Sequence, residues 1–408
     1  MAAERPFQPT TSLRESLEHH RNLIRGDVWW TVTGEEMAWM HKNAHSLFPT
    51  VTVYRNGPVR MLESEPSREI AGAPVSTPDG DMPFEAFIAS EHSTAMGIVV
   101  VQGGRIVFER YPRMQDYEKP IYWSVAKVLP ATVIGILEER GEVDVNRPIG
   151  SYLPELGASD FAGISVRNLL DMASGLDCED EYEDRESCYY RYSMAIGDGF
   201  RDANAPDNPY DFLTGLKVSR HARPGERYSY SGVNSFLLGW LVEKVTGVPF
   251  QDAFTREIWW HLGAEADASF VAYRYGIPLT HGGFLAKPRD LARFGLLFTP
   301  SYALVSPTRI VPEAHIERLR FGSNPALRDY GEAEGKLSMS RTDNTPAAEL
   351  PYTHSGYQWD YVHPDGTLFK GGWGGQGLIV NPAHDLVVVF ASYFKDGDHS
   401  EVDLGEAV

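Results

Sequence analysis

The chain is short of cysteine, of basic residues and of long apolar runs. Its 408 residues hold two cysteines, Cys178 and Cys188, too few for a disulfide framework and without histidines at metal-site spacing. Two reduced thiols are the expected state. No segment approaches the ~20 apolar residues of a membrane span. The first twenty residues carry charge and no apolar signal core, so a cytoplasmic location is expected. Lys and Arg total 37 against 56 Asp and Glu, a formal charge of −19 that would repel nucleic acid and anionic membranes. Neither is expected as a partner. No His/Asp/Glu cluster has ligand spacing, so no metal and no other cofactor is expected. A small-molecule substrate is the expected partner, with a homodimer left open.

What is present is the composition of a folded globular chain, 42% hydrophobic and 23% charged, with a length of one or two domains. Residues 1–90 show little periodicity and are expected as an N-terminal extension wrapped on the main body. "MGIVVVQGGRIVFERY" pairs two β-branched runs around Gly103-Gly104, a tight hairpin. "SVAKVLPATVIGILEERG" has helical spacing up to Gly141, with Pro130 expected to kink it. "SVRNLLDMASG" opens on the N-cap Ser165, "NSFLLGWLVEKVTG" reads as an amphipathic helix ending at Gly247, and "KPRDLARFGLLF" puts Pro288 at a helix start. Strands return in "YQWDYV" and "TLFKGG" around "HPDG", then in "QGLIV" and "DLVVVFASYF" around "NPAH". Strands at both ends with helices between predict an α/β fold. An antiparallel sheet with flanking helices would be built from 91–122 and 345–408. A mainly helical domain would occupy 123–344, with the active site in the cleft between them.

Three stretches carry candidate chemistry. In "YWSVAK", Ser124 and Lys127 are three apart on one helical face, about 5–6 Å apart at Cβ. A desolvated lysine one turn from a serine can act as its base. In "RPGERYSYSG", Tyr230 sits in a Gly/Ser loop before a helix and could relay a proton. In "KGGWGGQGLIV", Gly372, Gly374 and Gly377 match the dinucleotide spacing G-x-G-x-x-G. A strand pattern rather than a helix follows, and 31 residues remain after Gly377, so a nucleotide loop is excluded. These glycines are expected to let backbone approach a substrate, with a backbone N–H holding an oxyanion.

The order "SVAK", "YSYSG", "GWGGQ", with filler such as "VDVNRPIGSYLPEL", "ISVRNLLDMASGL" and "GLIVNPAHDLVVV", resembles the serine β-lactamase and penicillin-binding-protein superfamily over roughly residues 95–394. "LLDMASGLDCEDEYEDRES", "GYQW" and the GGQ stretch look most like its esterase-like and 6-aminohexanoate-dimer (nylon-oligomer) hydrolase branch. The resemblance implies a β-lactamase-like fold and a serine hydrolase cleaving esters or linear amides through an acyl-enzyme. Ser124 would be the nucleophile, Lys127 its base and Tyr230 the second-motif tyrosine. Trp373-Gly374-Gly375 would fill the third motif, with Gln376 and Ser124 supplying the oxyanion N–H groups and Tyr182 contacting a scissile amide. Two departures stand out. The second motif reads Tyr230-Ser231-Gly232 rather than Tyr-x-Asn, and the third begins with Trp373 rather than a cation. Both argue against a dedicated β-lactamase, and Tyr228 is a rival for Tyr230. A β-lactamase or D,D-peptidase-like enzyme, an acyltransferase and a non-catalytic binding protein are the alternatives. The acidic run from Asp177 to Glu186 is expected as a solvated loop, or as a lid that attracts a cationic substrate end. His281 and His363 are expected to be structural or solvated.

Overall fold

The computed structural model describes residues 8, 11–23, 29–322, 354–398, 400–402 and 404–407. The expected domain boundary at residue 345 lies outside the described residues.

Seven antiparallel strands form the main sheet: β1 (Gly97–Gln102), β2 (Arg105–Arg110), β3 (His354–Gly356), β4 (Trp359–Val362), β5 (Leu368–Gly372), β6 (Gln376–Asn381) and β7 (Leu386–Ala391). Their order is β2-β1-β7-β6-β5-β4-β3, so N- and C-terminal strands meet where β1 pairs with β7. Gly103 and Gly104 both take positive φ, 57° and 74°, which the two-residue hairpin between β1 and β2 requires. β1 and β7 are almost continuously buried, Ile98–Val101 and Val387–Ala391. Apolar runs of this kind mark strands covered on both faces.

Five helices matter for the site. They are α1 (Gly34–Leu47), α2 (Val128–Glu139), α3 (Cys188–Ile196), α4 (Gly232–Thr246) and α5 (Pro288–Leu296). In α2, every residue from Val128 to Leu137 is buried. Each fully buried aliphatic side chain contributes roughly 1.5–3 kcal/mol, so this helix is a rigid post. Pro130 is its third residue. A first-turn N–H has no intrahelical acceptor, so proline there removes no bond. The expected mid-helix kink is replaced by a junction at Lys127, where a 3-10 turn, Trp123–Lys127, hands over to α2. The helix α4 is capped by Ser231, whose Oγ accepts from Val233 N–H, and ends at Gly247 with φ 72°. It was expected to be amphipathic, yet Gly232–Gly239 are all buried because α2 and neighbouring helices enclose it. Although it lies within 123–344, α5 packs on β7, β1 and β6 of the sheet.

The described part of the first 90 residues is woven into this frame. Thr50–Val53 pairs antiparallel with Ala268–Val271. From α1, Gly34 N–H donates to Phe394 O at 2.7 Å, and His41 O accepts from Ile121 N–H at 2.9 Å. Cys178 and Cys188 form a disulfide with Cα atoms 5.0 Å apart, correcting the expectation of two reduced thiols. The loop between them doubles back, bringing the first residue of α3 to the loop's start. Among the described residues no helix is long and apolar enough to cross a membrane.

Candidate active site

Ser124 lies in the 3-10 turn that leads into the buried α2. Its neighbour Trp123 has φ 43°, a left-handed conformation that costs a bulky residue energy and needs support from its surroundings. The support is visible. Trp123 Nε1 donates to His41 Nε2 at 2.9 Å, and His41 Nδ1 lies 2.8 Å from Ser392 O. Burial pushes the His41 imidazole down to about 4, against the hydrogen bond to Ser392. The ring is therefore neutral at physiological pH, with Nδ1 carrying the proton.

Lys127 is buried, and its Nζ lies 2.9 Å from Ser124 Oγ and 2.8 Å from the His281 carbonyl. Burial pushes its ammonium down to about 8, opposed chiefly by Asp180 and assisted by the cation Lys370. Tyr230 completes the group. Its ring sits under both lysines, each Nζ 4.8 Å from the ring centroid, and its hydroxyl accepts from Lys370 Nζ at 3.1 Å. Burial pushes the phenol well above its ordinary value, as do Asp360 and Asp180, while a hydrogen bond with Ser124 pulls it down. Tyr228 does not line the cavity; Tyr230 does.

Lys370 is fully buried on β5, paired to Asp360 of β4 at 2.5 Å, and the other Asp360 oxygen accepts from Gly371 N–H at 2.9 Å. This corrects the third-motif reading. The cation is Lys370, and the segment beside Ser124 is Lys370-Gly371-Gly372 rather than Trp373-Gly374-Gly375. The signal was a lysine directly ahead of the glycine pair. A Cβ on Gly372 would lie 2.4 Å from Tyr122 O and 3.2 Å from Ser124 N, so only glycine fits there. The remaining glycines serve the fold instead of a substrate. Gly374 and Gly375 take φ 77° and 75° in the turn between β5 and β6. A Cβ on Gly374 would strike His41, and one on Gly377 the Phe390 ring.

The cavity holds about 300 Å³ beside Ser124, Lys127 and Tyr230, with Tyr182, Trp373, Trp123 and Trp30 among its aromatic walls and Glu179, Asp180, Asp198 and His281 among its polar ones. Gln376 and Gly375 do not line it. The Gln376 amide turns away, donating to Ser392 O at 2.6 Å. Tyr182 does line it, its hydroxyl 2.8 Å from that of Tyr189. The acidic run splits. Asp177 bonds outward to Ser219 and His221, whereas Asp180 turns inward, accepting from Gly232 N–H at 2.6 Å. Burial raises the Asp180 carboxyl, against the pull of Lys127. Its N–H donates to Tyr230 O at 3.1 Å, so the disulfide-closed loop is tied to the tyrosine's backbone.

The sequence reading did not single out Trp30, Lys370, Asp360 or Asp198, and it set His281 aside. Asp198 and His281 are both buried, with His281 Nε2 3.9 Å from Asp198 Oδ2 and Nδ1 3.0 Å from Tyr192 OH. Neither sits in a recognisable pattern, so no sequence signal marked them.

Known proteins resemble this chain in sequence and in fold. The chain is 28% identical to the 6-aminohexanoate-dimer hydrolase of Paenarthrobacter ureafaciens, over 88% of this chain and 86% of that protein. A putative 6-aminohexanoate-dimer hydrolase from Bacillus anthracis superposes with a TM-score of 0.72 at 23% identity, covering 88% of each chain. EstCE1, a hydrolase with promiscuous acyltransferase activity, superposes with a TM-score of 0.55 at 17% identity, covering 77% of this chain and 93% of its own. The beta-lactamase family model matches residues 83–407. The chain belongs to the beta-lactamase family and is a hydrolase of amide or ester bonds.

Proposed function

We propose that the protein hydrolyses short esters and linear amides with Ser124 as nucleophile. The observation that carries the reading is the buried Lys127 amine 2.9 Å from Ser124 Oγ, with its pKa lowered to about 8. Neutral Lys127 takes the Ser124 proton as Oγ bonds to the substrate carbonyl carbon. The oxyanion is held by backbone N–H groups, each worth about 3–4 kcal/mol in such sites. Ser124 supplies one of them. We assign the second to Trp373 instead of Gln376. Gly371 N–H points toward the β4 side of β5, and β4 pairs with β5 only at Leu368 and Phe369. Residues two apart on a strand direct their N–H groups to the same edge; Trp373 follows the last residue of β5, and the same alternation carried one residue into the turn aims its N–H at the uncovered part. Gln376, opposite Gly372 in the β5–β6 hairpin, belongs to the ladder.

As the tetrahedral intermediate collapses, the carbon–leaving-group bond breaks. The amine or alcohol leaves with a proton from Tyr230, and protonated Lys127 passes the former Ser124 proton on to the Tyr230 oxygen, which leaves Lys127 neutral again. Water then attacks the acyl carbon as neutral Lys127 takes its proton, the bond to Ser124 Oγ breaks, and Lys127 returns the proton to Oγ as the acid leaves. Lys370 holds the Tyr230 hydroxyl, and Asp360 neutralises Lys370. Glu179, Asp180 and Asp198 leave the cavity wall acidic, which favours neutral or cationic substrates over anionic β-lactams.

Incubation with a fluorophosphonate, followed by intact-mass measurement, tests the reading. One adduct is expected on the wild type and none on Ser124→Ala. An unlabelled wild type, or equal labelling of both, refutes it. Nitrocefin turnover as fast as that of p-nitrophenyl butyrate refutes the charge preference.

A further inference from the structure

We propose that Trp30, from the N-terminal segment ahead of the family-matched region, is a specificity-determining residue that sets the length of substrate the cavity accepts. The inference rests on the hydrolase reading above and deepens it.

Trp30 belongs to a short 3-10 turn, Trp29–Thr31, and is 4% exposed. It lines the same cavity as Ser124, Lys127 and Tyr230. Its indole meets three walls at once. It stands edge-on to Tyr182 with centroids 4.6 Å apart, edge-on to Trp373 at 5.2 Å, and tilted against Trp123 at 5.6 Å. Those rings come from the disulfide-closed loop, the turn after β5, and the residue before the serine. Edge-to-face pairs at these separations resist displacement. The Trp30 carbonyl accepts from Trp373 Nε1 at 3.2 Å, so the same residue also fixes the orientation of the Trp373 indole. Trp373 in turn packs edge-on against Phe394, at 5.0 Å. Phe394 accepts a backbone bond from Gly34 at the start of α1, three residues after the turn that holds Trp30. The N-terminal segment therefore enters between the loop, the nucleophile turn and the sheet, and it contributes to the cavity wall an indole packed against three other rings.

A wall of this kind limits how long a linear chain can lie across Ser124. In apolar pockets, one methylene changes discrimination by roughly 10–200-fold. Trp30→Ala, Trp30→Leu and Trp30→Phe are assayed for kcat/KM on two series of esters. One series varies the acyl chain of p-nitrophenyl esters from acetate to decanoate. The other holds acetate fixed and varies the alcohol. Trp30→Ala is expected to raise the octanoate-to-butyrate ratio, or its counterpart in the alcohol series, by roughly tenfold. Trp30→Leu should fall between, and Trp30→Phe should stay near wild type. Fluorophosphonate labelling of Ser124 in each variant shows that the site is still assembled. Unchanged ratios in both series, in variants that still label, overturn the role of Trp30 and leave the hydrolase reading standing. If Trp30→Ala does not fold, the Trp30→Leu ratio decides. A wild type that neither labels nor turns over any ester overturns the hydrolase reading, and this inference falls with it.

Discussion

Replacing Asp180 by Asn should move the pH profile of acylation to lower pH. The neutral form of Lys127 is the active base, so kcat/KM rises with pH through the lysine's pKa. Burial lowers that pKa from 10.5 to about 8, a shift corresponding to ~3.4 kcal/mol against the ammonium. At pH 7 roughly a tenth of the enzyme then holds a neutral lysine, against about 0.03% for an ordinary one. Asp180 is the largest influence opposing this shift. A nearby opposite charge typically moves a pKa by about 1–3 units, and we take the low end, about one unit. Asn keeps an Oδ1 acceptor for the Gly232 N–H that Asp180 binds at 2.6 Å, so the change is mainly one of charge. The rising limb should fall from near pH 8 to near pH 7. With p-nitrophenyl butyrate, a neutral substrate, kcat/KM at pH 7 should rise about fivefold while the value at pH 9 barely changes. A limb that stays in place, or moves to higher pH, refutes the coupling.

Three further outcomes follow from the same geometry. Because Lys127 has a lower pKa folded than unfolded, it destabilises the fold below pH 8, and that penalty fades as pH rises from about 8 to 10.5. Lys127→Met should raise Tm at pH 7, by up to about 3 kcal/mol of stability, with the gap closing near pH 10.5; a gap independent of pH counts against the buried-lysine account. Opening the Cys178–Cys188 bridge with Cys178→Ser should cost about 2–3 kcal/mol in chemical denaturation, and should raise KM because the bridged loop carries Asp180 and Tyr182; unchanged stability and KM would remove the bridge from the argument. Tyr182→Phe should lower amide turnover and spare esters, since its hydroxyl lies on the cavity wall, 2.8 Å from that of Tyr189, where a scissile amide would meet it; equal losses on both substrates contradict that role.

Much of the architecture was legible because it is written in local pattern. The hairpin at Gly103-Gly104, the cap Ser165, the stop at Gly247 and Pro288 at a helix start all depend on local backbone roles that few residue types satisfy. The Ser124/Lys127 pair was legible for the same reason, since three residues on one turn must be neighbours. Lys370 was legible in principle, standing directly before the glycines that were singled out, but its place in the motif was misassigned by three residues.

Local sequence therefore determined which segments are strands and helices, and which serine and lysine face each other. Only the tertiary structure decided what surrounds them. Trp30 and His41 reach Trp123, the residue before the serine, from far along the chain, Asp360 neutralises Lys370 from the neighbouring strand, and Asp180 turns inward while Asp177 turns out. Burial converts an ordinary lysine into a base near neutrality, and burial is a property of the packed whole that no short stretch encodes.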